Sequence, residues 1–133
     1  GAAAGGDRVC GFLKNNGAAA LITDGPLRDY SGLIKVGLPC WCTGLTPASP
    51  YTNGPGSVGL PIQIGGRQVE SGDMIIADFD GVVVVPFKKI DEVIAMLGKV
   101  IELETSLDKE IEEGLKIPPS TIELLASDKV KYV

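Results

Sequence analysis

Glycine-bearing turns divide residues 58–85 into short β-prone pieces: 58–64, 67–69, 74–77 and 82–85. Gly65-Gly66, Gly72-Asp73 and Asp80-Gly81 stand between them, the chemistry that tight reversals need. The stretch predicts close-packed strands joined by tight turns. Within it, ADFDG (residues 77–81) sets two carboxylates at i, i+2, which suits either an ion or a β-turn over Asp80-Gly81.

Helical spacing appears on either side. Val9, Cys10, Phe12 and Leu13 recur at helical intervals between Asp7 and Asn16, and Asn16-Gly17 supplies a stop. Residues 18–24, AAALITD, form an apolar run bounded by Gly17 and Gly25, as expected of a strand buried on both faces. Residues 30–36 suit one or two helical turns before Gly37, and LPCWCTG reads as the next strand. Between Thr43 and Gly59, Pro47, Pro50 and Pro55 lie among Ser, Thr, Asn and Gly, a loop long enough to expect function. Residues 88–113 are amphipathic through Ile90, Val93, Ile94, Leu97, Ile101, Leu107 and Ile111, predicting one long helix or two abutting ones ended by Gly114. Pro118-Pro119 opens a short helix, and residues 129–133 suit an edge strand.

Composition narrows the chemistry. At 133 residues one domain is the default, and a net charge of -5 opposes binding to nucleic-acid backbones, which needs clustered Lys and Arg. No apolar run reaches the length of a membrane span, and three sparse cysteines, Cys10, Cys40 and Cys42, point to a reducing cytoplasm and to small buried apolar roles. The chain has no histidine, so imidazole triads and the usual zinc ligand are both excluded. Carboxylates, Arg, Lys, Cys, Tyr or a bound ion must carry any reaction. The lysines, such as Lys88-Lys89, fall in polar or helical surface contexts, which disfavours a Schiff base.

Arg28-Asp29, in a Gly/Pro turn straight after the 18–24 strand, is the most informative local feature. The carboxylate suits a divalent ion and the guanidinium an anion beside it; a surface ion pair, or an Asp capping the next helix, is the plainer alternative. Asp7 bears on the choice if it meets Arg28 in space. Two carboxylates, one arginine and the free N–H groups opening the Asp7 helix would cradle an organic acid and a hard ion such as Mg²⁺, which polarises a carbonyl. The GAAAGG opening lacks a preceding strand and the G-x-G-x-x-G spacing, so it is no nucleotide loop.

Three strings, GAAALITDGPLRD, GGRQVESGDMIIADFDGVVVVP and IPPSTIELLASDKVKYV, resemble the family of 4-hydroxy-4-methyl-2-oxoglutarate aldolases and regulators of ribonuclease E activity A. The sharpest shared motif is an acidic residue, twenty intervening residues, then Arg-Asp, met here by Asp7, residues 8–27 and Arg28-Asp29. The resemblance implies an α/β protein of the swivelling β/β/α type, a central mixed sheet flanked by helices, assembled as a homotrimer or hexamer. It implies one domain over residues 1–133 that lacks an N-terminal portion, with residues 88–133 as a C-terminal helical extension. It also implies Asp29 as direct ligand of Mg²⁺ or Mn²⁺, Arg28 as the group meeting the keto oxygen, and Asp7 as holder of a metal-bound water. The backbone amides of Arg8 and Val9 would take the substrate carboxylate, and Glu104 from a neighbouring subunit, with Glu102 in reserve, would complete the metal's surroundings.

The activity so implied is class II-like cleavage of a 4-hydroxy-2-oxo dicarboxylic acid to pyruvate and a second keto acid, with oxaloacetate decarboxylation alongside. The alternative is a non-catalytic regulator that binds ribonuclease E. One departure stands out: many aldolase-type members continue Arg-Asp-x-x-Glu/Asp, whereas this chain has Tyr30, Ser31 and Gly32, which removes an acidic contact.

Overall fold

The computed structural model describes residues 1–131. They form two compact units, the first spanning Gly1–Lys88 and the second beginning at Lys89. The first unit runs α1 (Asp7–Asn15), β1 (Leu21–Ile22), α2 (Tyr30–Val36), β2 (Cys40–Trp41), β3 (Ile62–Ile64), β4 (Arg67–Val69), β5 (Met74–Ala77) and β6 (Val82–Val85), and a 3₁₀ turn at Phe87–Lys89 spans the boundary. The class is mixed α/β, and the strands pair two by two.

β1 and β2 are parallel, with Leu21 opposite Cys40 and α2 as the crossover that a parallel pair requires. β3–β4 and β5–β6 are antiparallel hairpins. Gly65 and Gly66 reverse the first with φ of 54° and 75°, a two-residue turn open to glycine at both places. In the second, Asp78 Oδ1 accepts the N–H groups of Asp80 and Gly81 at 2.8 and 3.2 Å, so ADFDG makes a turn and spends its first carboxylate there.

Three expected strands are shorter than the sequence suggests, among them residues 38–44, which pair only at Cys40–Trp41. Residues 58–64 pair only at Ile62–Ile64, because Gly59 turns at φ 77° and Pro61 has no N–H to donate. Residues 18–24 contribute only Leu21–Ile22, and both are half-buried rather than buried on both faces. Among the described residues β1 pairs with β2 alone, and burial on both faces would need further layers against it.

The second unit holds α3 (Ile90–Glu112), which Gly114 ends at φ 101°, and α4 (Pro119–Leu125), with Pro119 at its first position, where a missing N–H costs nothing. Residues 129–131 form no strand: the Ser127 hydroxyl accepts the Lys129 N–H at 3.3 Å and holds a turn. Residues 132–133 of the expected edge strand lie outside the described residues. Among the described residues no helix is long and apolar enough to cross a membrane.

The buried apolar side chains are Ala3, Cys10, Leu27, Leu38 and Val85, with Leu27 and Cys10 sealed completely. Leu27 joins three stretches of chain: it bridges Gly5 on one side and Leu45 on the other, both in parallel. Its N–H donates to Gly44 O at 3.0 Å, and its carbonyl accepts the Thr46 N–H at 2.9 Å. Cys10 Sγ lies 3.8 Å from Cys40 Sγ, and the Cys40 thiol donates to Leu38 O at 3.2 Å. The small-apolar expectation fits Cys10, but Cys42 is exposed, because the chain leaves β2 just before it.

Truncating Leu27 to Ala removes a sealed side chain with no easy route to collapse, and should cost about 3 kcal/mol in denaturant unfolding. A second outcome concerns pH. Burial, then the hydrogen bond and charge of Cys10, push the Cys40 thiol from 9.0 to about 11. The folded state therefore keeps a proton that the unfolded chain releases first. Its stability contribution is whole below about pH 9 and is lost as pH rises through about 11. The unfolding midpoint should decline across that window less steeply in Cys40→Ala than in the native chain.

Candidate active site

Two segments run side by side into two helices. Ala4 N–H donates to Pro26 O at 2.7 Å and Arg28 N–H to Gly5 O at 3.1 Å, so residues 4–6 and 26–28 lie in parallel register. One enters α1 at Asp7, the other α2 at Tyr30. This register places Asp7 on the same cleft as Arg28-Asp29, without a hydrogen bond or ion pair between them among the described residues. Gly6, Asp7, Arg8, Val9, Arg28, Asp29 and Pro50 line one cleft of about 390 Å³.

Asp29 adopts φ 63°, ψ 45°, and is the one non-glycine residue with positive φ among the described residues. Aspartate tolerates this region better than most side chains, yet the conformation is still sparsely populated. Its carboxylate does not cap α2; Oδ2 instead lies 3.2 Å from Arg28 Nε. With these side chains 35% and 41% exposed, the pair contributes at most about 1 kcal/mol, whereas a strained backbone of this kind costs roughly 1–3 kcal/mol. The ion pair alone does not account for the conformation. What the left-handed turn accomplishes is to hold the carboxylate at the cleft beside the guanidinium.

Two glycines make room for this arrangement. A Cβ on Gly6 would stand 2.5 Å from Asp29 Oδ2 and 3.1 Å from Arg28 Cγ, so the residue before α1 must be bare for the pair to lie against it. Gly6 has an extended backbone at φ -150°, so space rather than torsion requires glycine there. A Cβ on Gly32 would collide with Asp7 Oδ2 and lie 2.7 Å from Asp7 Cβ. Position 32 has no acidic side chain to offer, as the sequence reading states, and this packing gives a physical reason for it. The side chain of Asp7 already fills the space in which any side chain at position 32 would begin.

The remaining groups are ordered by backbone chemistry. α1 has no side-chain cap at Gly6, and the N–H groups of its first turn, including those of Arg8 and Val9, have no intrahelical acceptor. They face a helix terminus of positive potential, which suits a carboxylate. Arg28 Nη1 donates to Ser49 Oγ at 2.9 Å, a contact that the sequence argument missed. The signal available was coarse: residues 43–59 read as a functional loop, with nothing to single out Ser49. Gly6 escapes the sequence reading too, because nothing in GAAAGG singles out one glycine from its neighbours. Glu104 and Glu102 lie exposed on α3, within the second unit.

Among the described residues no three Cys, Asp or Glu side chains gather as a ready metal cage. The cleft offers two carboxylates, Asp7 and Asp29, with no thiol and no imidazole. That hard, sparse donor set fits a cation such as Mg²⁺ or Mn²⁺, which retains waters and takes ligands from substrate.

The family model described as RraA-like, Aldolase/RraA, matches residues 1–84. A Halalkalibacterium halodurans protein named "Putative 4-hydroxy-4-methyl-2-oxoglutarate aldolase" is 36% identical over 110 residues, covering 83% of this chain and 52% of that protein. Streptomyces coelicolor RraAS2, described as an unusual member of the RNase ES inhibitor RraA family, superposes with a TM-score of 0.73 at 31% identity, over 82% of this chain and 56% of that one. The RNA-processing inhibitor RraA from Thermus thermophilis gives 0.59 at 27%, over 64% and 52%. The chain thus spans about half the length of the relatives it matches.

Gly32→Ala tests the Asp7 contact. Alanine should add about 1 kcal/mol of helix propensity, against roughly 1–3 kcal/mol for the forced overlap with Asp7. The expected outcome is therefore a lower unfolding midpoint, where an exposed helical Gly→Ala change would raise it.

Proposed function

The chain belongs to the Aldolase/RraA family, and from that premise we propose that it is a divalent-metal-dependent aldolase. It would cleave a 4-hydroxy-2-oxo dicarboxylic acid to pyruvate and a second keto acid. One observation carries the reading: Asp7 lines the same cleft as the sequence-distant pair Arg28-Asp29, with Gly6 leaving room for the pair.

Asp29 would hold Mg²⁺ or Mn²⁺ directly, and Asp7 through water. The cation would supply Lewis-acid polarisation of the substrate's keto group. Arg28 then has a defined task. Nε faces Asp29 and one Nη1 proton goes to Ser49, which leaves Nη2 without a protein acceptor among the described residues. Those free donors meet the keto oxygen as it gains charge on breaking of the carbon–carbon bond, so they bind the transition state more tightly than the ground state. The Arg8 and Val9 amides orient the substrate carboxylate, which fixes the keto group relative to Arg28. Oxaloacetate would be decarboxylated at the same cleft, because its loss of CO₂ leaves the same pyruvate enolate. In a homotrimer or hexamer, Glu104 from a neighbouring copy would complete the cation's surroundings.

The structural relatives described as RNA-processing inhibitors favour a second reading, a non-catalytic regulator that binds ribonuclease E. Mg²⁺ with oxalate, a mimic of the pyruvate enolate, should raise the melting temperature under the aldolase reading and leave it unmoved under the regulator reading. Asp29→Ala in the full chain should lower Mg²⁺-dependent pyruvate release at least about a hundredfold, the scale of a lost electrostatic stabiliser. A variant with native pyruvate release would overturn the proposal.

A further inference from the structure

We propose that Ser49 is the positioning residue of the site: its hydroxyl aims the Arg28 guanidinium. This rests on the aldolase reading for its catalytic consequence, but not for the contact itself.

Arginine reaches its target through several rotatable bonds, and one anchor leaves the guanidinium plane free to swing. Asp29 Oδ2, 3.2 Å from Nε, supplies one anchor at the inner end of the group. Ser49 Oγ, 2.9 Å from Nη1, supplies a second at the outer end and defines the plane. The donors left over on Nη2 then point in one direction.

Ser49 can serve this way because its own loop is held close by. Thr43 N–H donates to Gly25 O at 3.3 Å and Thr46 N–H to Leu27 O at 2.9 Å. Ala3 N–H donates to Ala48 O at 3.2 Å, and the Thr46 hydroxyl accepts the Ala48 N–H at 3.3 Å. These bonds tie residues 43–48 to both segments that build the cleft. Ser49 follows at once, and Pro50 lines the cleft wall. Pro50 also disfavours helical backbone at Ser49, which narrows where the hydroxyl can go. Ser49 is itself exposed, so packing does not explain its contact with Arg28.

The role predicts a kinetic signature. Arg28 is needed most when charge has developed, so a loosened guanidinium should slow turnover with little change in ground-state binding. In the full chain, Ser49→Ala should lower kcat for pyruvate release about tenfold, with KM within about twofold and an unchanged melting temperature. Ser49→Thr, which keeps the hydroxyl, should restore most of the loss. Side-chain ¹⁵N NMR of Arg28, assigned by Arg28→Lys, provides a readout that needs no activity. Rotation about Nε–Cζ should be slow in the native chain and in Ser49→Thr, and fast in Ser49→Ala.

Equal rotation rates in native and Ser49→Ala chains would overturn the proposal, as would an unchanged kcat. A native chain that releases no pyruvate would instead sink the aldolase reading, and the NMR comparison would still decide the contact.

Discussion

The register at Leu27 is the constraint on which the first unit depends. Its side chain is fully buried, and its backbone is bound on both sides to segments from elsewhere in the chain. Side chains alternate along an extended segment, so a slip of one residue would expose Leu27 and carry Arg28 inward. The apolar penalty for such a slip is what makes Arg28 and Asp29 emerge where they do. Burial at one position thus sets the geometry of polar groups at the next two, with no direct interaction between them.

The same register explains how a small chain without histidine assembles a polar site. The first turns of α1 and α2 are brought side by side because the segments feeding them are paired in parallel. Asp7, Arg28 and Asp29 all belong to those entries. Each is partly exposed, so none bears the desolvation penalty of a deeply buried charge. Close approach is achieved instead by omission, with glycine at positions 6 and 32 where a side chain would intrude.

What could be read from the chain was what local chemistry determines. α1, α2 and β4 to β6 begin and end close to where helical spacing and glycine turns place them, since each boundary is set within a few residues of sequence. The acidic residue and Arg-Asp pair were visible as a spacing, and their convergence follows from the parallel pairing of residues 4–6 with 26–28. That pairing leaves no periodic mark, because it is a bridge between segments too short to show alternation. β1 was over-read for a related reason: apolar content signals a capacity for burial, while actual burial depends on layers supplied from elsewhere. Ser49 was hidden in a loop whose composition marks irregularity and nothing finer.

Asp7 and position 32 share one volume across the approach of two helices. With a side chain at position 32, Asp7 could not keep the place it occupies here. The two positions are therefore coupled in space, although they stand far apart in the sequence. Gly32 thus acts beyond its own helix: by carrying no side chain it decides where the carboxylate of another helix can lie.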